Sequence, residues 1–423
     1  MKTFGRDSQE QKSDSPEKVK RSAISSLKQR NYRLYFIGQI ISNAGTWMQM
    51  VAQSWLVLEL SKSGSILGIV SAVQFLPMLF LGPLAGVYTD RYNKRKLLIL
   101  TQSLFGVVAL ALGILDLSGV IQLWMIFASA ALMGVINTID MPTRQAFVIE
   151  LVGREDLQNA VSLNTVVMNG ARVVGPSIAG GIIYAFGVGP NFILNAISYI
   201  AVIVVLLRLD MTKLRPATRV VAKRGQLREG FNYVRSNGDL AIPLLMMVIV
   251  GTLAYEFQIS IPLLATNTFH KGAGSYAILT ASLGFGAVIG GFLSAKYAKV
   301  SQRLLNVAAG IFGVMMLGMA IAPSYAIELV VTAATGAISI LFLSTANTLL
   351  QITAREEMRG RVMALYGVAF LGSTPIGAPL IGFISQHFGG RVGILVGGIA
   401  TLIAAAFGLY RASRDKTNEL AEV

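Results

Sequence analysis

Long apolar runs follow one another from about residue 33 to residue 411, separated by short polar or glycine-containing breaks. Each run is near the roughly 20 residues that about 30 Å of hydrocarbon asks of a helix. The runs are continuous and do not alternate in ten-residue pieces, so they predict helices, which satisfy their own backbone in lipid, and not barrel strands. The predicted spans are 33–58, 66–88, 97–117, 121–149, 158–186, 190–209, 240–267, 274–296, 304–322, 326–352, 362–387 and 391–411. Residues 1–30, with Ser13-Asp14-Ser15-Pro16-Glu17-Lys18, have too little apolar surface to fold alone and are expected to be a disordered tail. The first apolar run is long enough to stay in the membrane, so no cleavable signal peptide is expected.

The longest polar link, 211–239, separates a half at 31–210 from a half at 240–411, and 412–423 forms a second tail. The halves read as copies. Arg154-Glu155-Asp156-Leu157 before the fifth span matches Arg355-Glu356-Glu357-Met358 before the eleventh. Downstream, Gly175, Gly180, Ile182, Phe186 and Gly187 align with Gly377, Gly382, Ile384, Phe388 and Gly389 after a one-residue slip. A duplication with both copies running the same way predicts an all-α membrane protein of twelve transmembrane helices in two six-helix bundles, related by a pseudo-twofold axis along the membrane normal.

Charge sets the expected orientation. With twelve spans, 31 of the 36 Lys and Arg fall on the side of the termini, Lys62, Lys271 and Arg391 fall opposite, and Arg144 and Arg172 lie within helices. This positive-inside asymmetry predicts a bacterial inner membrane protein with both termini cytoplasmic, and it explains the net charge of +15 without nucleic acid as a partner. The sequence has no Cys, and His270 and His387 stand far apart beside opposite-side loops, so neither a thiol site nor a metal site is expected. No phosphate-binding loop, dinucleotide fingerprint, Ser/His/Asp set or paired acids appear, and neither a cofactor nor enzymatic activity is expected.

Several polar groups lie inside the predicted spans. Gln39, Ser42, Thr46, Gln49 and Gln53 form one stripe on the first span, expected to face an aqueous or substrate cavity, with interhelical bonding as the alternative. Asp140, Arg144, Arg172 and Glu256 are ionisable, and each costs roughly 2.5–3.5 kcal/mol near a helix centre, so each is a candidate for coupling or substrate binding. Asp140 and Arg144 are spaced for a local ion pair. Arg172 and Glu256 lack local partners and come from different halves. Both pointing into a central cavity would let Glu256 carry a proton while Arg172 tunes it or holds an anionic cargo. Trp47, Trp55, Tyr199, Tyr255, Phe257 and Tyr366 could line such a cavity.

Between the second and third spans the chain reads Gly86-Val87-Tyr88-Thr89-Asp90-Arg91-Tyr92-Asn93-Lys94-Arg95-Lys96. This resembles the signature loop of the major facilitator superfamily, with Asn93 in place of its second Gly. The resemblance extends over about residues 30–411 and is greatest to the drug and siderophore exporter branch that includes enterobactin exporters. Gly45-Thr46-Trp47-Met48-Gln49, Asp140-Met141-Pro142-Thr143-Arg144-Gln145, Arg172-Val173-Val174-Gly175-Pro176, Glu229-Gly230-Phe231-Asn232-Tyr233-Val234-Arg235 and Arg359-Gly360-Arg361-Val362 also carry it. The segment with Gly175, Pro176, Gly180 and Gly181 is similar to a fifth-helix packing motif of antiporters, one residue longer between Pro and the paired glycines.

The resemblance implies a major facilitator fold and a gating role for Gly86, Asp90, Arg91, Lys94 and Arg95, with Asp90 near a helix N-terminus and the cations engaging Glu150. It implies a monomeric secondary exporter of a small amphipathic molecule, a drug, siderophore or metabolite, working by alternating access with protons as coupling ion. A lysophospholipid flippase on the same scaffold, and a transport-dead sensor or scaffold using the basic central loop, are the alternative expectations.

Overall fold

The computed structural model describes residues 24–215, 226–296 and 300–421, without the side chains of 83–88, 90, 154, 226–227, 295–296, 371 and 412–421. Helices α1 (Arg30–Ser61), α2 (Gly64–Arg91), α3 (Lys94–Leu117), α4 (Leu123–Phe186) and α5 (Gly189–Leu207) make the first half. The long α4 is two spans in one: Gly153, at φ +73°, turns the chain between them. Only glycine enters that left-handed region at no steric cost, and a Cβ there would press on the Arg215 side chain, 2.9 Å from its Cδ.

The second half holds α7 (Gly238–Leu253) and α8 (Phe257–Leu263), then α9 (Ala273–Lys296), α10 (Gln302–Ile321), α11 (Tyr325–Thr353), α12 (Glu356–Leu371), α13 (Thr374–Phe388) and α14 (Gly390–Ala421). Two predicted spans are therefore broken. The seventh is interrupted over 254–256 between α7 and α8 and finishes in a π turn, Leu264–Thr268. The eleventh is broken between α12 and α13, where Pro375, in the first turn of α13, has no N–H to continue the ladder.

Among the described residues, eleven segments are long and apolar enough to cross a bilayer. The twelfth is α1, whose 32 residues reach about 48 Å; its glutamines hold down its apolar average. Within the linker expected at 211–239, the short helix α6 (Gln226–Arg235) packs on α12, a feature not read from the sequence. Ordered structure also begins ahead of residue 30. Ser25–Lys28 form a 3-10 turn, Ser26 is buried, and its N–H and hydroxyl both donate to Asn159. Residues 1–23, the bulk of the expected tail, lie outside the described residues.

The repeat noticed in the sequence has a structural counterpart. Gly187 (φ +82°) and Gly389 (φ +99°) cap the equivalent helices, donating to Ile183 and Ser385 carbonyls at 3.1 Å. The halves meet in two matching seams. In one, Gly180 of α4 abuts Ala277 of α9, and contact runs on past Arg172 and Gly284. In the other, Gly64 and Gly68 of α2 abut Gly382 and Ala378 of α13. The Gly64 N–H donates to Gln386 Oε1 at 2.6 Å across the second seam, and Trp55 of α1 stacks on Tyr276 of α9 near the first. These contacts close the end opposite the termini. Towards the termini, among the described residues, α2 makes at most marginal contact with α12, and Phe80, Val166 and Val368 are exposed.

Candidate functional site

A cavity of about 270 Å³ lies between the halves. Trp47, Met50 and Val51 of α1, Ser71 and Phe75 of α2 and Arg172 of α4 line it from the first half. Tyr255, Glu256 and Phe257 at the α7–α8 break, Tyr276 and Thr280 of α9, Ser339 of α11, Phe370 of α12 and Thr374 of α13 line it from the second. The wall is aromatic and apolar, with two ionisable side chains, one from each half.

Arg172 stands over the Trp47 ring at 5.2 Å from its centroid, and its Nε has no hydrogen-bond partner among the described residues. Gly175, one turn on, lets α4 approach α1 so closely that a Cβ would fall 2.6 Å from Trp47 Cβ. Glu256 is placed by the broken helix. Its backbone is non-helical, and its carbonyl accepts the N–H groups of Ile259 and Ser260 at 3.0 and 2.9 Å. Its side chain is buried and hydrogen-bonded to Thr374, and Oε1 has no partner among the described residues. Gly377 leaves it room: a Cβ there would lie 2.9 Å from that oxygen. Tyr255, beside it, donates to the Ser339 carbonyl at 2.5 Å. Such a half-helix break puts backbone dipoles and a carboxyl at the midplane, as in transporter binding sites generally.

The other charged candidates lie elsewhere. Asp140 and Arg144 form their ion pair inside the first half, away from the cavity. Asp140 Oδ1 also accepts Thr101 Oγ1 at 2.6 Å and Gln102 Nε2 at 2.9 Å, and Arg144 donates to Gln39. A buried charge so fully paired is a fastener, because each partner removes part of the cost of burial.

The α1 stripe fastens too. Gln39 holds Arg144, Gln49 accepts from Asn195 of α5 at 2.5 Å, and Gln53 reaches Gln74 of α2 at 3.4 Å. Thr46, Gln49 and Gln53 line a minor hollow of about 40 Å³, while Gln39 and Ser42 are buried among helices. That hollow shares Met50, Ser71 and Gln258 with the wall of the large cavity, which the neighbouring α1 face meets at Trp47, Met50 and Val51. Of the aromatics singled out, Trp47, Tyr255 and Phe257 line the cavity; Tyr199 packs on Phe105, and Tyr366 on Phe370.

In the loop motif, Gly86 lies in α2, and the Asp90 side chain lies outside the described residues. Lys94 Nζ meets Glu150 Oε1 at 2.8 Å. Arg95 does not reach Glu150; it donates to the Leu206 and Leu207 carbonyls at 2.6 and 2.9 Å, capping the end of α5. Arg91 is exposed. The contacts made by Lys94 and Arg95 thus stay within the first half. The packing motif divides as well: Gly175 faces α1, Gly180 faces α9, and Gly181 has open space around it.

One buried acid was missed. Glu328 of α11 is fully buried, accepts Thr332 Oγ1 at 3.0 Å and leaves Oε2 unpartnered. Glu328, Thr332, Thr335 and Ser339 follow at helical steps and are all buried, so a polar stripe runs down α11 to the cavity wall. The same spacing argument used for α1 would have found it.

Two six-helix halves around an ionisable midplane cavity define a membrane transporter of the major facilitator type. The chain belongs to the transmembrane secretion effector family of that superfamily, whose pattern it matches over residues 21–422. The family is one of multi-pass membrane transporters and not of enzymes. Among relatives, a staphyloferrin A transporter of Staphylococcus aureus is 25% identical over 376 residues, 88% of this chain and 93% of that protein. A macrolide efflux protein A of Streptococcus pyogenes is 23% identical over 87% of this chain and 92% of its own length. An enterobactin exporter of Shigella boydii is 26% identical over 89% of each. The fold matches an inward-facing, unoccupied bacterial homologue of the human lysosomal transporter Spinster, with a TM-score of 0.73 and 14% identity over 91% of this chain and 96% of that one.

Proposed function

We propose that this protein is a secondary exporter that carries a small amphipathic molecule out of the cell by alternating access, with protons moving inward in exchange. The arrangement of Arg172 and Glu256 carries the reading: they come from opposite halves, line one cavity and each hold a buried atom without a partner. An unpaired charge at membrane depth is expensive, so each group favours whichever state supplies a partner or a proton. An anionic group on an aromatic cargo satisfies Arg172 while the rings of Trp47, Tyr255 and Phe370 take up its apolar body. Proton binding at Glu256 then alternates with cargo binding.

The relatives' cargoes, two siderophores and the macrolides, support a polyfunctional molecule with ionisable and apolar parts as the class. The excess of basic residues on the side of the termini supports that side as cytoplasmic. The cavity is then shut from outside and accessible from within, the state in which an exporter loads. In proteoliposomes with an imposed pH gradient, the intact protein is expected to move anionic aromatic dyes, and Glu256→Gln to retain dye binding while losing acceleration by the gradient. Normal gradient-driven flux by Glu256→Gln would remove Glu256 from coupling, and faster movement of lysolipid than dye would favour a flippase.

A further inference from the structure

The linker helix α6 has two faces with different chemistry. Its inner face is committed to α12: Glu229 pairs with Arg361 Nη1 at 2.5 Å, Gly230 sits so close that a Cβ would meet Arg361 Cβ at 3.0 Å, and Val234 is buried with Leu240, Leu350 and Val362. Its outer face carries Arg228, Phe231 and Arg235, at steps of three and four and therefore side by side. All three are exposed, Phe231 by 56%, and neither arginine has an ion-pair partner among the described residues.

We propose that this outer face is a docking site for anionic phospholipid headgroups of the surrounding leaflet. Position selects the bilayer over a soluble partner. The helix ends at Arg235 and the next span begins at Gly238, three residues on. Three residues reach at most about 10 Å, and the four helical steps from Phe231 to Arg235 add only about 6 Å, so Phe231 and its flanking cations stay close to headgroup level. A phenyl ring between two arginines fits that boundary: the ring enters the acyl margin and the guanidinium groups meet phosphates. The inner face transmits the result, because a docked α6 holds the end of α12 that flanks the open side of the cavity. The inference does not depend on which molecule is carried.

The natural chain has no Cys, so a single Phe231→Cys substitution in the full protein accepts one nitroxide. The labelled protein is placed in phosphatidylcholine vesicles with or without phosphatidylglycerol, and its collision accessibility to oxygen and to a water-soluble nickel chelate is compared. With phosphatidylglycerol present, the label is expected to become oxygen-accessible and shielded from nickel. Arg228→Gln and Arg235→Gln are each expected to weaken the docked state about fivefold, the size of one basic side chain at an anionic leaflet. Equal nickel accessibility at 231 with and without the anionic lipid overturns the proposal. Shielding that survives loss of both arginines does so too.

Discussion

Lys94 Nζ and Glu150 Oε1 are 2.8 Å apart, and both belong to the first half of the molecule. The ion pair joins α3 to the end of the fourth span and crosses no moving seam, so it stays intact while the halves rock. The side chains are 14% and 16% exposed, which places the pair between the surface and buried regimes. A double-mutant cycle with Lys94→Gln and Glu150→Gln, read by thermal unfolding in detergent, is expected to give a coupling of about 1 kcal/mol. Distances between spin labels on opposite halves are expected to be the same in both variants and the parent.

At the closed end the seam of α2 and α13 is glycine on glycine. Gly382→Val would drive its side chain into the Gly64 backbone and to within 3.3 Å of the Gly68 Cα. Nitroxides at Leu60 and Phe388, both exposed at that end, are expected to move apart in this variant and to stay put in Gly181→Val, where the neighbouring space is open.

The Asp140 network gives an asymmetric expectation. Asp140→Asn leaves the half-buried Arg144 cation without its counter-charge, which costs about 2–3 kcal/mol, below the range of a fully buried pair. The pair Asp140→Asn with Arg144→Gln removes both charges and is expected to recover more than half of that loss. Denaturant unfolding of the three variants in one detergent measures it, and equal losses in single and double variants would contradict the assignment as a fastener.

Acid is expected to loosen the start of the linker. Asp210 Oδ1 accepts from the Thr212 N–H at 3.1 Å and its hydroxyl at 2.7 Å, and those bonds hold the carboxyl below its ordinary value. A depressed group stabilises its turn at higher pH, and that contribution is lost as pH falls below about 3.8, the unperturbed value. Protection of the Thr212 amide, taken relative to its intrinsic exchange rate at each pH, should fall over that range and remain flat above it; Asp210→Asn should flatten the whole profile.

The helical plan was legible because lipid leaves few options: each apolar run long enough to span must satisfy its own backbone. Break points inside a span were harder to see. The interruption over 254–256 leaves the apolar run around it intact, and only the solitary Glu256 marked the place. The reading of Arg172 and Glu256 as a pair of cavity groups came from their lack of local partners and their origin in different halves. The α1 stripe divides between its two expectations, with Thr46, Gln49 and Gln53 on a hollow and Gln39 and Ser42 among helices, because periodicity reveals which residues share a face and not what that face meets. Here it meets α2, α4 and α5, so Gln39, Gln49 and Gln53 bond neighbours. Glu328 was passed over although its hydroxyl neighbours follow the same steps. Helix α6 is short and polar, and only its packing on α12 identifies it.

Both ends of the linker are tied down. Arg215 donates its N–H to the Glu150 carbonyl at 2.9 Å in one half, and α6 is clamped to Arg361 in the other. From Arg215 to Gln226 the chain takes eleven steps, a covalent leash of at most about 39 Å at roughly 3.5 Å per residue. The stroke of the machine at this end is thus capped by covalent reach, however strongly cargo or proton drives it. Shortening the leash by a few residues should leave each half folded and narrow the swing between them.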